Sequence, residues 1–126
     1  MDFVTAVKTC FGKFATFEGR ACRSEYWFFT LFLMLGSLVL TTLDIVLGTG
    51  VLSTIFSLII LIPSIAVSVR RLHDTDRSGW WYLLFLIPLI GVIVLIIWFC
   101  ARGTAGANRF GGDPLAAAEA PALPAA

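Results

Sequence analysis

The densest group of side chains able to do chemistry is Arg70-Arg71-Leu72-His73-Asp74-Thr75-Asp76-Arg77-Ser78-Gly79, followed at once by Trp80-Trp81. His73 is the sole histidine and is adjacent to Asp74, an arrangement in which a carboxylate orients an imidazole for acid/base work. A nucleophile for such a pair would have to be Ser24, Thr75 or Ser78, and none stands in a nucleophile-elbow spacing. The flanking arginines oppose a bound cation, so no metal is expected, nor any cofactor, and no catalytic residue is assigned. Arg70, Arg71 and Arg77, joined by Arg20 and Arg23 upstream, suit a phosphate instead, because each guanidinium is a fork of donors matched to that shape. Glu18 and Glu25 would orient these arginines. The alternative is an anchoring turn, in which the arginines snorkel and fix topology, Asp74 and Asp76 shape the bend and Ser78 caps the next helix. A second compact motif, Asn108, Arg109 and Asp113, reads as a turn or as a second contact site.

The elements that must position these groups are set by composition. Of 126 residues, 59% are hydrophobic and only 13% are charged, and mean hydropathy is +0.93. Three apolar runs, 26–47, 51–69 and 80–101, make up half of the chain. Too little remains to build a separate soluble core, so a soluble catalytic domain is excluded. The fold class expected is an all-α membrane protein with three transmembrane helices over those runs. The first, opening with the interfacial belt Tyr26-Trp27-Phe28-Phe29, holds 22 residues and reaches about 33 Å, enough for a hydrocarbon core of about 30 Å. Its three-residue connector makes the second span an antiparallel neighbour. In that span Ser53, Ser57, Ser64 and Ser68 form a small-residue stripe expected to be the packing seam, and Pro63 predicts a kink. Pro88 and Gly91 interrupt the third.

Residues 3–17 place four phenylalanines on one side of a helical wheel and Lys8 and Lys13 on the other. That pattern predicts an N-terminal amphipathic interfacial helix, either in the headgroup layer or packed over the ends of the spans. Residues 1–114 are expected to form one membrane domain, and 115–126 a disordered Ala/Pro tail. Lys8, Lys13, Arg20 and Arg23 precede the first span, whereas Gly48-Thr49-Gly50 carries no charge, so the N-terminus and the 70–79 connector are expected in the cytoplasm. Three spans would put the tail on the far side; a re-entrant third segment broken near Pro88 would return it. Nine basic against eight acidic residues give a net charge of +1, which excludes nucleic acid as a partner. Cys10, Cys22 and Cys100 have no metal or redox spacing and read as small apolar fillers. Asp44, near the outer end of span one, would with Thr41 and Thr42 form the vestibule of a pore, which needs an oligomer.

Several of these motifs stand together. Gly19-Arg20, Arg23-Ser24-Glu25-Tyr26-Trp27, Arg70-Arg71-Leu72-His73-Asp74, Ser78-Gly79-Trp80-Trp81 and Asn108-Arg109-Phe110-Gly111 with Asp113-Pro114 occur in an order that resembles the domain-of-unknown-function family 805, from about residue 11 to 114. The resemblance implies a small polytopic protein of the bacterial inner (plasma) membrane and assigns no activity. The residues favour a non-catalytic module that binds anionic lipid headgroups or a membrane assembly through a cytoplasmic arginine-rich face. The groups expected there are Arg20, Arg23, Glu25, Arg70, Arg71, His73, Asp74 and Arg77. Its partners would be membrane lipids, a homo-oligomer or another membrane protein. The alternatives are an oligomeric channel or transporter component, and a membrane enzyme acting on a lipid headgroup through His73 and Asp74.

Overall fold

The computed structural model describes residues 2–114; the tail expected to be disordered, 115–126, lies outside the described residues. The chain folds into α1 (Phe3–Gly12), α2 (Arg23–Leu47), α3 (Val51–Asp74), a 3-10 segment (Gly79–Leu86) and α4 (Ile90–Cys100), with no strand among the described residues.

Two helices, α2 and α3, are long and apolar enough to cross a membrane. With 25 and 24 residues they measure about 37 and 36 Å. Gly48 ends α2 in the left-handed region, at φ 70°, and lets the short connector turn. Most of the apolar side chains on both helices point outward, Ile45 being 77% and Leu58 67% exposed. A soluble core helix would bury them; helices solvated by acyl chains need not.

The seam between the helices rests on a close approach as well as on the two ends of the serine stripe. A Cβ on Gly36 of α2 would come within 2.6 Å of the Phe56 ring of α3, so only glycine admits that ring. Ser57, Ser64 and Ser68 donate to carbonyls of their own helix, those of Ser53, Leu61 and Ser64. Ser53 bonds across, to Asp44, and the buried Ser68 also meets the Tyr26 hydroxyl of α2. Helix α3 runs on through Pro63.

The N-terminal helix is real but ends at Gly12, five residues short of the expected limit. Asp2 caps it, accepting from the Thr5 amide at 2.7 Å, and the Thr5 hydroxyl together with this amide holds the Asp2 carboxyl below its usual value. Its apolar face lies on α2: Ala6 and Cys10 are fully buried, and the Phe11 ring meets those of Phe29 and Phe32 at 5.6 and 5.7 Å. Phe14 and Phe17, beyond the helix, stay exposed. At the other helix start, Cys22 is the N-cap of α2 without a side-chain cap bond.

The third apolar run departs most from expectation. Instead of one continuous span over 80–101, it doubles back as the 3-10 segment and the 11-residue α4, which is about 16 Å long and reaches half the depth of a hydrocarbon core. The cause is local. Pro88 lacks an amide and pushes the residue before it out of the helical region, leaving Ile87 extended at φ −89°, ψ 108°. Leu89 follows at φ 65°. Gly91 then packs directly against the Leu84 carbonyl, where a Cβ would collide. The chain therefore returns, after Cys100, to the end of α3 it left.

Candidate functional site

That return gathers the hinge before α2, the last turns of α3 and the segment after α4 around five buried charges: Arg20, Glu25, Arg70, Arg71 and Asp74, none more than 5% exposed. Asp74 is the centre. Its Oδ1 accepts from Arg20 Nε at 3.0 Å and its Oδ2 from an Arg71 terminal nitrogen at 2.7 Å, so one carboxylate joins two guanidiniums. Glu25, in the first turn of α2, pairs with Arg70. Each carboxylate faces an arginine because an unpaired charge in such an interior is costly. Arg70 has two further nitrogens, Nε and Nη2, with no acceptor among the described residues.

The surplus positive charge is met by backbone carbonyls. Arg20 donates to the carbonyl oxygens of Thr104 at 2.6 Å, Gly106 at 2.7 Å and Gly111 at 3.3 Å, drawing the segment after α4 into a strap. Arg71 donates to the Phe99 carbonyl at 3.1 and 2.9 Å and to that of Ala101. Trp27 Nε1 also reaches the Phe99 oxygen, at 3.2 Å. The C-terminus of α4, the negative end of its dipole, is thus capped by a buried cation from another helix. The backbone joins in: the Ala21 amide donates to the Arg70 carbonyl at 3.0 Å and the Thr104 amide to the Asp74 carbonyl at 2.7 Å.

Three of the five arginines expected to meet a phosphate, Arg20, Arg70 and Arg71, are therefore turned inward and engaged by protein groups. Arg23 is exposed, with one long bond of 3.4 Å to the Cys100 carbonyl. Arg77 is half-buried, its guanidinium 4.3 Å from the centre of the Trp98 ring. The His73–Asp74 acid/base pair is not formed. His73 Nδ1 lies 2.9 Å from the Gly19 carbonyl oxygen, which can only accept, so that nitrogen carries the proton. The ring stacks flat on Phe110 at 4.0 Å. Asn108 closes the arrangement, its amide donating to the His73 carbonyl at 2.9 Å. Arg109 pairs at the surface with Asp76, 3.3 Å away, and Asp113 accepts from the Gly106 amide at 2.9 Å.

Several members of the cluster carry no chemical signal in the sequence. Thr104, Gly106 and Gly111 act through carbonyls, which every residue has. Gly103 acts through what it lacks, since a Cβ there would collide with the Asp74 carboxylate. The glycine-rich run 103–112 was the available hint. Away from this cluster, Asp44 is no open vestibule with Thr41 and Thr42. It is 3% exposed and closes the start of α3, accepting from Leu52 N at 3.1 Å, Ser53 N at 2.8 Å, Ser53 Oγ at 2.7 Å and Thr49 Oγ1 at 3.0 Å. The described residues contain no group of His, Cys, Asp and Glu able to hold a metal.

A pair of long apolar helices, a doubled-back third segment and a buried arginine–carboxylate cluster define a small helical membrane protein. The profile described as "Protein of unknown function (DUF805)" matches residues 14–112, and the chain belongs to that family. Similar proteins in Escherichia coli K12 are Inner membrane protein YhaH, 50% identical over 108 residues that cover 81% of this chain and 89% of the relative, and Inner membrane protein YhaI, 46% identical over 104 residues, covering 81% and 88%. Uncharacterized protein YiiR is 30% identical over 124 residues, covering 78% and 85%. No solved structure matches the chain. The relatives support a bacterial inner-membrane location.

Proposed function

We propose that the protein is a non-catalytic, multi-pass module of the bacterial inner membrane whose cytoplasmic face binds anionic lipid headgroups. The observation that carries this reading is the doubling back of 80–101, which brings the hinge, the 74–79 turn and the 101–113 strap together. With Arg20, Arg70 and Arg71 consumed inside, the cations available to a headgroup are the exposed ones: Lys8, Lys13, Arg23, Arg102 and Arg109. They come from three separate stretches of chain, so the buried cluster would serve as the frame that sets their spacing. Positive charge at this end and none in the 48–50 connector supports a cytoplasmic position for this end. An anionic surface draws each exposed lysine or arginine by about 1 kcal/mol, a cumulative attraction that salt weakens.

Two measurements test the reading. Single cysteines placed at Lys13, Thr49 and Ala107 in a cysteine-free background are labelled from either side of inverted and right-side-out vesicles. Positions 13 and 107 should react from the cytoplasmic side and 49 from the other. Native mass spectrometry of protein released from phosphatidylglycerol-containing bilayers should show retained anionic lipid, lost when Lys8, Lys13, Arg23, Arg102 and Arg109 are all replaced by glutamine. Retention unchanged in that variant would overturn the headgroup role.

A further inference from the structure

A cavity of about 490 Å³ lies beside the buried cluster, walled by Phe17, Val69, His73, Ser78, Gly79 and Trp80. Its volume is in the range of small-molecule sites. The walls come from three places: the loop after α1, the last turns of α3 and the start of the 3-10 segment. Trp80 is 79% exposed and Phe17 41%, so the cavity opens to the surface beside two aromatic side chains of the kind enriched at membrane interfaces.

Two residues with polar side chains, His73 and Ser78, stand in an otherwise apolar lining. His73 is 8% exposed, with Nδ1 committed to Gly19 and the ring stacked on Phe110. The remaining nitrogen, Nε2, has no partner among the described residues and, with Nδ1 protonated, is an acceptor. The Ser78 oxygen accepts from the Trp80 amide at 3.3 Å, which leaves its O–H as a donor without an acceptor among the described residues. An acceptor and a donor lining one apolar cavity complement a carboxyl group, whose O–H meets the nitrogen while its C=O meets the hydroxyl. A phosphodiester offers acceptors only and leaves Nε2 unsatisfied. The lining holds no arginine or lysine to neutralise a phosphate. Gly79 keeps this wall close, since a Cβ there would come within 2.7 Å of Val69 Cγ1.

We propose that this cavity is a binding site for the carboxyl end of a long-chain fatty acid, with His73 Nε2 and Ser78 Oγ holding the head and Phe17, Val69 and Trp80 the first part of the chain. The lining includes none of the exposed cations, although Arg109 lies 4.6 Å from the centre of the Phe110 ring on which His73 stacks. Should Nε2 gain a proton from the acid, the resulting imidazolium and carboxylate stay paired at the same atoms, so the geometry holds both protonation states.

As the sole histidine, His73 gives one imidazole signal in nitrogen NMR of selectively labelled protein in lipid nanodiscs. The ligand-free protein should show Nδ1 protonated and Nε2 bare. Oleic acid should move the Nε2 resonance saturably while leaving Nδ1 bonded to Gly19. Ser78→Ala and Phe17→Ala should each weaken that saturation at least tenfold; Phe17 lies in an exposed loop, so its variant tests the site with the fold intact. A proton on Nε2 in the free protein, a response that never saturates, or equal saturation in both variants overturns the site. An equal response to dioleoylglycerol, or a response to phosphatidylglycerol instead of oleic acid, overturns the carboxyl assignment.

Discussion

Arg20 and Asp74, fifty-four residues apart, meet with Nε 3.0 Å from Oδ1 in a setting where both side chains are at most 3% exposed. The same guanidinium holds three carbonyls of the strap. One side chain therefore fastens the hinge before α2 to the end of α3 and to the segment after α4. Removing it should do more than delete an ion pair, because Asp74 and the three carbonyls would lose donors together. Arg20→Ala is expected to destabilise the fold by about 3–5 kcal/mol, the range for breaking a buried pair from one side. Chemical unfolding in detergent, with protease cutting at Arg102 as a local reporter, measures both the global and the strap effect.

Gly103→Ala should loosen the same strap without touching a charge, since the added methyl would meet the Asp74 carboxylate. Faster cleavage at Arg102 with unchanged secondary structure is the expected result. Gly112→Ala is the control, as nothing lies within 4 Å of a Cβ there.

The Glu25–Arg70 pair gives a double-variant test. Glu25→Gln strands a fully buried arginine and should cost about 3–5 kcal/mol. Combining it with Arg70→Met removes the stranded charge, so the double variant should be more stable than Glu25→Gln alone. Unfolding midpoints of the four proteins in one detergent decide the sign.

Cys10 supplies the pH prediction. Burial pushes its thiol up to about 12, with the neighbouring Glu25 carboxylate adding to the rise. The raised value means that the folded protein keeps a proton that the unfolded chain gives up near 9. No linked change in stability is expected below pH 9. Above it, stability should fall toward pH 12 by up to about 1.4 kcal/mol per pH unit. Cys10→Ala should remove that slope. In the folded wild type a maleimide should label exposed Cys100 and spare Cys10.

Asp44 is expected to act as a cap. Asp44→Ala should lower the thermal midpoint by freeing the amides of Leu52 and Ser53 at the start of α3, and Asp44→Asn, which keeps one acceptor oxygen, should lower it less. Differential scanning fluorimetry of both variants ranks them; equal midpoints for the two would argue against capping.

The sequence by itself determined the class of protein. Hydropathy and length are local sums, so α2 and α3 are legible from composition, and the glycine connector dictates that they run antiparallel. The amphipathic pattern placed α1, though not its end at Gly12. The motifs around Arg20, Glu25, Arg70, Arg71 and Asp74 marked the right residues as well, because charges beside apolar runs are rare. Tertiary structure alone decided what those charges face. A guanidinium beside a membrane helix looks the same in sequence whether it reaches out to a phosphate or inward to a carboxylate. The outcome depends on Asp74, on the carbonyls of Phe99 and Thr104, and on a chain that turns back at Pro88. Proline and glycine in the third run announce an interruption, but the return of α4 to Arg71 is a sum of distant contacts that no local pattern encodes. His73 shows the same limit: its neighbour in sequence is Asp74, while its partners in space are Gly19 and Phe110.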